Sequence, residues 1–85
     1  AIVGTHTHVQ TNDAQIINGT AYITDTGMTG STQSVIGVKK EIIINRFAKG
    51  AKDPFVWENE GEYDINAVII SIDTKTKLAS NISIL

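Results

Sequence analysis

Apolar and polar positions come in short blocks along this chain, and most of the blocks suit strands. Ile2-Val3 is a brief apolar run closed by Gly4, and residues 1–4 read as the inner strand of a sheet. Residues 5–13, Thr-His-Thr-His-Val-Gln-Thr-Asn-Asp, are polar and read as a loop leaving that strand. Ile16-Ile17 precedes Asn18-Gly19, a strong turn dipeptide. Residues 20–24 are β-branched and aromatic, which predicts a strand. Residues 25–32 hold two glycines and many hydroxyls and form a loop. Val38 and Ile42, Ile43 and Phe47, and Ile44 and Ala48 each lie four apart, which predicts a helix over 35–49. Lys49 and Gly50 suit its end, a cation by the last carbonyls and a glycine at the cap. Phe55 to Trp57 reads as a strand and residues 59–62 as a turn. Tyr63 to Asp73 reads as one long strand, apolar on both faces. After a turn at 74–77, Ile82 and Ile84 alternate with Asn81 and Ser83, as in an outer strand with one wet face. The pattern predicts an α+β unit of one helix and about five strands.

Composition sharpens this. At 85 residues the chain is one domain at most. A chain so short buries only about 60% of its unfolded surface, and with no cysteine it has no disulfide to help. Metal, oligomerisation or further chain remain as sources of stability. A strand under way at residue 1 favours the last of these: the chain reads as a piece of something longer. Seven Lys+Arg against nine Asp+Glu give a net charge of -2, which argues against a DNA partner, since phosphate binding needs a basic face. No apolar run approaches the ~18 residues of a membrane span. The missing cysteines and the lack of a basic-then-apolar leader fit a cytoplasmic setting.

The chemistry-bearing residues are few. Both histidines lie in one tripeptide, His6-Thr7-His8, just past a strand and a glycine. In an extended backbone, side chains two apart point the same way, so two imidazoles would face one spot, a common way to hold Zn, Mn or Fe. Thr5, Thr7 and Asp13 could fix the ring tautomers. The plain alternative is two surface histidines in a polar loop. Asp25, at a strand end, could ligate metal or orient a histidine; otherwise it is an Asx-type turn residue bonded to the following backbone. Gly27, Met28, Thr29 and Gly30 could offer backbone N–H groups to a phosphate. The Lys-Ser or Lys-Thr that a P-loop needs is missing. A cysteine nucleophile is excluded, and no Ser-His-Asp arrangement can be paired.

The block from Ala1 through His6-Thr7-His8-Val9-Gln10-Thr11, followed by the block from Gly19 through Asp25-Thr26-Gly27-Met28-Thr29-Gly30, resembles the YmdB-like branch of the calcineurin-like metallophosphoesterases. The likeness extends over essentially the whole chain. It implies a domain of two packed β-sheets flanked by helices, of which residues 1–85 would be the C-terminal third. It further implies two metal ions (Fe, Mn, or else Mg or Zn) and hydrolysis of phosphodiesters, with 2′,3′-cyclic nucleotides as substrates. His6 and His8 match the two histidines of the family's last metal motif, so each is expected to ligate a metal. Asp25, Gly27, Met28, Thr29 and Gly30 are the expected substrate-side residues. The family's other ligands are an Asp, a Glu and Asn pair, an Asn-His motif and a further His. They come from earlier segments and have no counterpart here, and neither does the proton donor that the Asn-His motif supplies. The expectation is therefore a fragment, inactive alone, whose partners are the missing N-terminal portion or a second copy. The competing expectation is a small non-catalytic α+β module that oligomerises or binds a protein.

Overall fold

Residues 1–85 are all described by the computed structural model, as nine short strands and one helix. The fold is α+β with a mixed sheet. It divides into two compact units, Ala1–Met28 with Ile65–Leu85, and Thr29–Asp64.

In the first unit, Asn18 and Gly19 take φ 47° and 76°, the geometry of a tight hairpin turn. They join β2 (Gln15–Ile17) to β3 (Thr20–Ile23), with Ile16 opposite Ala21. Strand β1 (Ile2–Val3) runs parallel to β3, so the sheet order is β1-β3-β2. Among these residues β1 is paired on one side only, and Ile2 and Val3 are exposed. Gly4 donates to the Ile23 carbonyl at 3.0 Å and accepts from the Thr26 N–H at 2.9 Å. A β-carbon on Gly4 would overlap the Thr24 carbonyl, so the close approach of the two chains needs glycine. A ribbon of β8 (Val68–Ile72) and β9 (Ala79–Ile84) packs against β2 and β3. The Ala79 N–H meets the Gly19 carbonyl at 2.7 Å. Ala21, Ile23 and Ala79 form the small buried core.

In the second unit, β4 (Gly30–Ser31) pairs with β7 (Tyr63–Asp64), and β5 (Ser34–Val35) forms a hairpin with β6 (Val38–Lys39). Helix α1 runs Lys40–Lys49 and ends at Gly50 in the left-handed region, as its sequence predicted. Its start differs from the predicted one. Ile36 and Gly37 take φ 46° and 100°, which turns residues 34–39 into a hairpin. The apolar Val35 and Val38 therefore belong to strands and not to a first helical turn. Phe55 to Trp57 forms only a single bridge, Trp57 to Val38, in place of a strand.

The predicted long strand at 63–73 is broken. Tyr63–Asp64 and Val68–Ile72 are separate strands, and residues 65–67 belong to neither. Within these 85 residues Ile65, Ile69 and Ile72 are exposed. At the break, residues 66 and 67 bond to distant segments of the chain. The Asn66 side chain donates to the Met28 carbonyl at 2.6 Å, and the Ala67 carbonyl receives the Gln10 side chain at 3.2 Å and the Leu85 N–H at 2.9 Å.

Candidate functional site

Two loops of the first unit meet beyond the end of β3: residues 5–13, which carry the histidine pair, and residues 25–28. The histidine segment is not extended. Residues 6–9 are a series of bends, with His6 at φ 111° and His8 at φ 66°. The extended-chain argument for their common direction therefore fails, and turn geometry sets where the rings go. Both values lie in the left-handed region, which costs a non-glycine residue on the order of 1–3 kcal/mol. His6 is exposed and His8 half-buried.

Asp25 holds this turn. It is 0% exposed, the only carboxylate in the buried set. Its Oδ2 accepts the Thr7 N–H at 2.7 Å and the Thr7 hydroxyl at 2.7 Å, and the His8 N–H also reaches the carboxylate. Its Oδ1 accepts the Gly27 N–H at 2.8 Å. The Asx turn read from the sequence is therefore present, and the second oxygen adds a grip on a segment 18 residues earlier. The Thr7 hydroxyl first, then the Gly27 N–H, hold the Asp25 carboxyl below the usual carboxylate range against the opposing effect of burial. It is ionised at neutral pH. Three of the roughly four acceptor positions of a carboxylate are filled at 2.7–2.8 Å.

A second set of bonds ties the far end of the loop. The Thr11 hydroxyl donates to Asp13 Oδ1 at 2.6 Å and accepts the Asp25 N–H at 2.9 Å. Asp13 also receives the Thr24 N–H at 3.2 Å and the Thr24 hydroxyl. The Thr11 hydroxyl, then the Thr24 hydroxyl, pull the Asp13 carboxyl below its usual range. Thr7 and Asp13, expected as partners of the imidazoles, are thus bonded to loop backbone, threonine hydroxyls and Asp25.

The glycine loop is built for packing. Gly27 has φ 87°, and a β-carbon there would lie 2.7 Å from Asn66 Cβ and 3.0 Å from Gln10 Cβ. Gln10 bridges the Thr26 and Ala67 carbonyls at 3.1 and 3.2 Å. One of the N–H groups that might have cradled a phosphate, that of Gly27, is taken by Asp25. Met28 is half-buried and not at an exposed tip. Thr29 and Gly30 belong to the second unit, where Gly30 pairs with Asp64. A shallow pocket of about 280 Å³ in that unit is lined by Lys39, Lys40, Glu41, Glu58 and Glu60 among others, and by none of the candidate residues. Sequence reading missed Gln10, Thr11 and Asn66. The one signal for Asn66 was a lone amide inside an apolar run.

No group of three or more His, Asp or Glu assembles that could hold a metal. The two imidazoles suit Zn, Mn or Fe by donor type. The YmdB-like protein family matches residues 1–85, the whole chain. The chain belongs to this family. It is a YmdB-like, calcineurin-type metallophosphoesterase family member. A relative in the family, a 2′,3′-cyclic-nucleotide 2′-phosphodiesterase of Bacillus subtilis (strain 168), is 48% identical over 83 residues, 96% of this chain and 31% of that protein. The crystal structure of a novel phosphatase from Mycoplasma pneumoniae matches with a TM-score of 0.90 at 38% identity, covering 99% of this chain and 30% of that one. A hypothetical protein from Thermus thermophilus matches with a TM-score of 0.86 at 37% identity, over 98% and 32% of the two chains. The chain thus spans about a third of the length of these YmdB-like relatives. No helix is long and apolar enough to cross a membrane.

Proposed function

We propose that this chain is the histidine-bearing part of a metal-dependent phosphoesterase acting on phosphodiesters such as 2′,3′-cyclic nucleotides. His6 and His8 are two of the ligands in this reading, and the remaining ligands come from the rest of the full-length protein. The observation that carries the reading is the backbone of the turn. Glycine would relieve the strain at φ 111° and 66°, yet histidine stands at both positions. Strain kept at two imidazoles points to a use for the rings. The kinship with a cyclic-nucleotide phosphodiesterase supports the substrate class.

Metal ions bound there would neutralise the phosphate and supply an activated water. The chain's own residues hold the backbone of the histidine turn, and Asp25, Asp13 and Thr11 keep the loop closed on the end of β3. With two ligands, the 85 residues are inactive alone. Their exposed β1 edge and apolar faces are covered by the remaining portion of the full-length protein or by a second copy. The test is metal content and phosphodiesterase activity of the full-length protein with His6→Ala and His8→Ala combined. We expect metal uptake to fall and activity to drop at least about 100-fold. Unchanged uptake would remove both histidines from the ligand set.

A further inference from the structure

We infer that Asp25 is the positioning residue of the metal centre, and that it acts through Thr7. The inference rests on the reading of His6 and His8 as ligands and goes one step beyond it. Three observations combine. First, the Asp25 carboxylate is fully buried, and it takes the Thr7 N–H, the Thr7 hydroxyl, the His8 N–H and the Gly27 N–H. Three of these donors lie at 2.7–2.8 Å, so the carboxylate is committed to the loop.

Second, its bonds land on the backbone between and at the two histidines, where φ is 111° and 66°. A turn in that conformation needs an external hold, and a carboxylate receiving two successive N–H groups is a strong one. Third, the Thr7 hydroxyl bonds Asp25 Oδ2 at 2.7 Å and lies within 3.3 Å of both the Val9 N–H and the Val9 carbonyl. One side chain between the histidines therefore closes the turn from inside while Asp25 closes it from below. Gly27, locked by Asn66 and Gln10, fixes the other end of the carboxylate.

Partners that orient metal ligands without touching the metal typically alter affinity by about 10–100-fold when removed. Asp25→Asn keeps the shape but sets an amide NH2 against N–H donors. Thr7→Val removes only the hydroxyl, at an exposed position, and Thr7→Ser restores it. The experiment measures Co2+ affinity, by competition with a chelator, and the visible spectrum of bound Co2+. It uses full-length protein, at a temperature where circular dichroism shows each variant folded. We expect Asp25→Asn and Thr7→Val to weaken Co2+ binding about 10–100-fold with an altered spectrum, and Thr7→Ser to recover both. Lower melting temperatures with unchanged affinity and spectrum would overturn the inference and leave Asp25 a brace of the loop. If Asp25→Asn does not fold, the Thr7→Val and Thr7→Ser pair decides. The double histidine variant serves as the reference: wild-type Co2+ binding there would overturn the histidine reading itself, a result distinct from failure at Asp25.

Discussion

The loop at 5–13 and the sheet faces beside it lie in the same small unit and are opposite in one respect. The loop is mostly polar, but its hydrogen bonds close on partners within the chain: Thr7 and Gly27 on Asp25, Thr24 on Asp13, Gln10 on two carbonyls. No buried side-chain polar atom lacks a partner. The sheets are built from apolar residues, yet Ile2 is 61% and Ile69 57% exposed, and Ile16 and Ile17 also lie open. The shape of the histidine turn is therefore specified within these 85 residues, whereas the burial of the sheets is not. A turn can be held in shape on a scaffold whose apolar faces lie open.

That contrast can be broken at either side. The larger effect is expected on the apolar side. In full-length protein, Ile2→Ala and Ile69→Ala should each cost about 2–4 kcal/mol, the range for a covered isoleucine. Residues left open to water would cost about 0.5 kcal/mol or less. Denaturant unfolding of the two variants reads the difference, and the lower figure would mean that the faces stay bare.

The smaller effect is expected on the polar side, in acid. Asp13 titrates below its ordinary 3.8, chiefly through the Thr11 hydroxyl, so the folded state holds its charged form more tightly than the unfolded chain does. Its contribution to stability is complete above 3.8 and is lost as pH falls through the lower folded value. Asp73 behaves alike, through the N–H groups of Thr76 and Lys75 at the β8–β9 turn. Melting temperature should therefore stay level down to about pH 4 and then decline. Asp13→Asn should start lower at neutral pH and decline less in acid. An identical acid slope in wild type and Asp13→Asn would show that the Thr11–Asp13–Thr24 bonds do not hold the loop.

How much of this was legible in the sequence follows the same division. Local chemistry read well: the Asn18-Gly19 turn, the Gly50 cap and the Asx turn at Asp25 each depend on a few neighbouring residues. The family was legible too, from two motif blocks. Readings that depended on distant partners were wrong. Periodicity could not show that Ile36 would turn back at positive φ, so it starts the helix at Val35 when the chain enters it at Lys40. Nor could it show that Asn66 would leave its strand to bind the Met28 carbonyl. The histidine spacing was read on an extended backbone, which residues 6–9 do not adopt. The cause of the actual bend, the Asp25 carboxylate, lies 18 residues from Thr7.

Amide hydrogen exchange, followed by NMR on metal-free full-length protein, tests the preformed turn most directly. Thr7 is exposed and lies in a loop, where amides ordinarily exchange almost freely. The account predicts that the Thr7 and His8 N–H groups, bonded to Asp25, are protected by about 100-fold or more before any metal is added. Exchange at the rate of an open loop would contradict it, and would mean that the histidine turn takes its shape only when metal is bound.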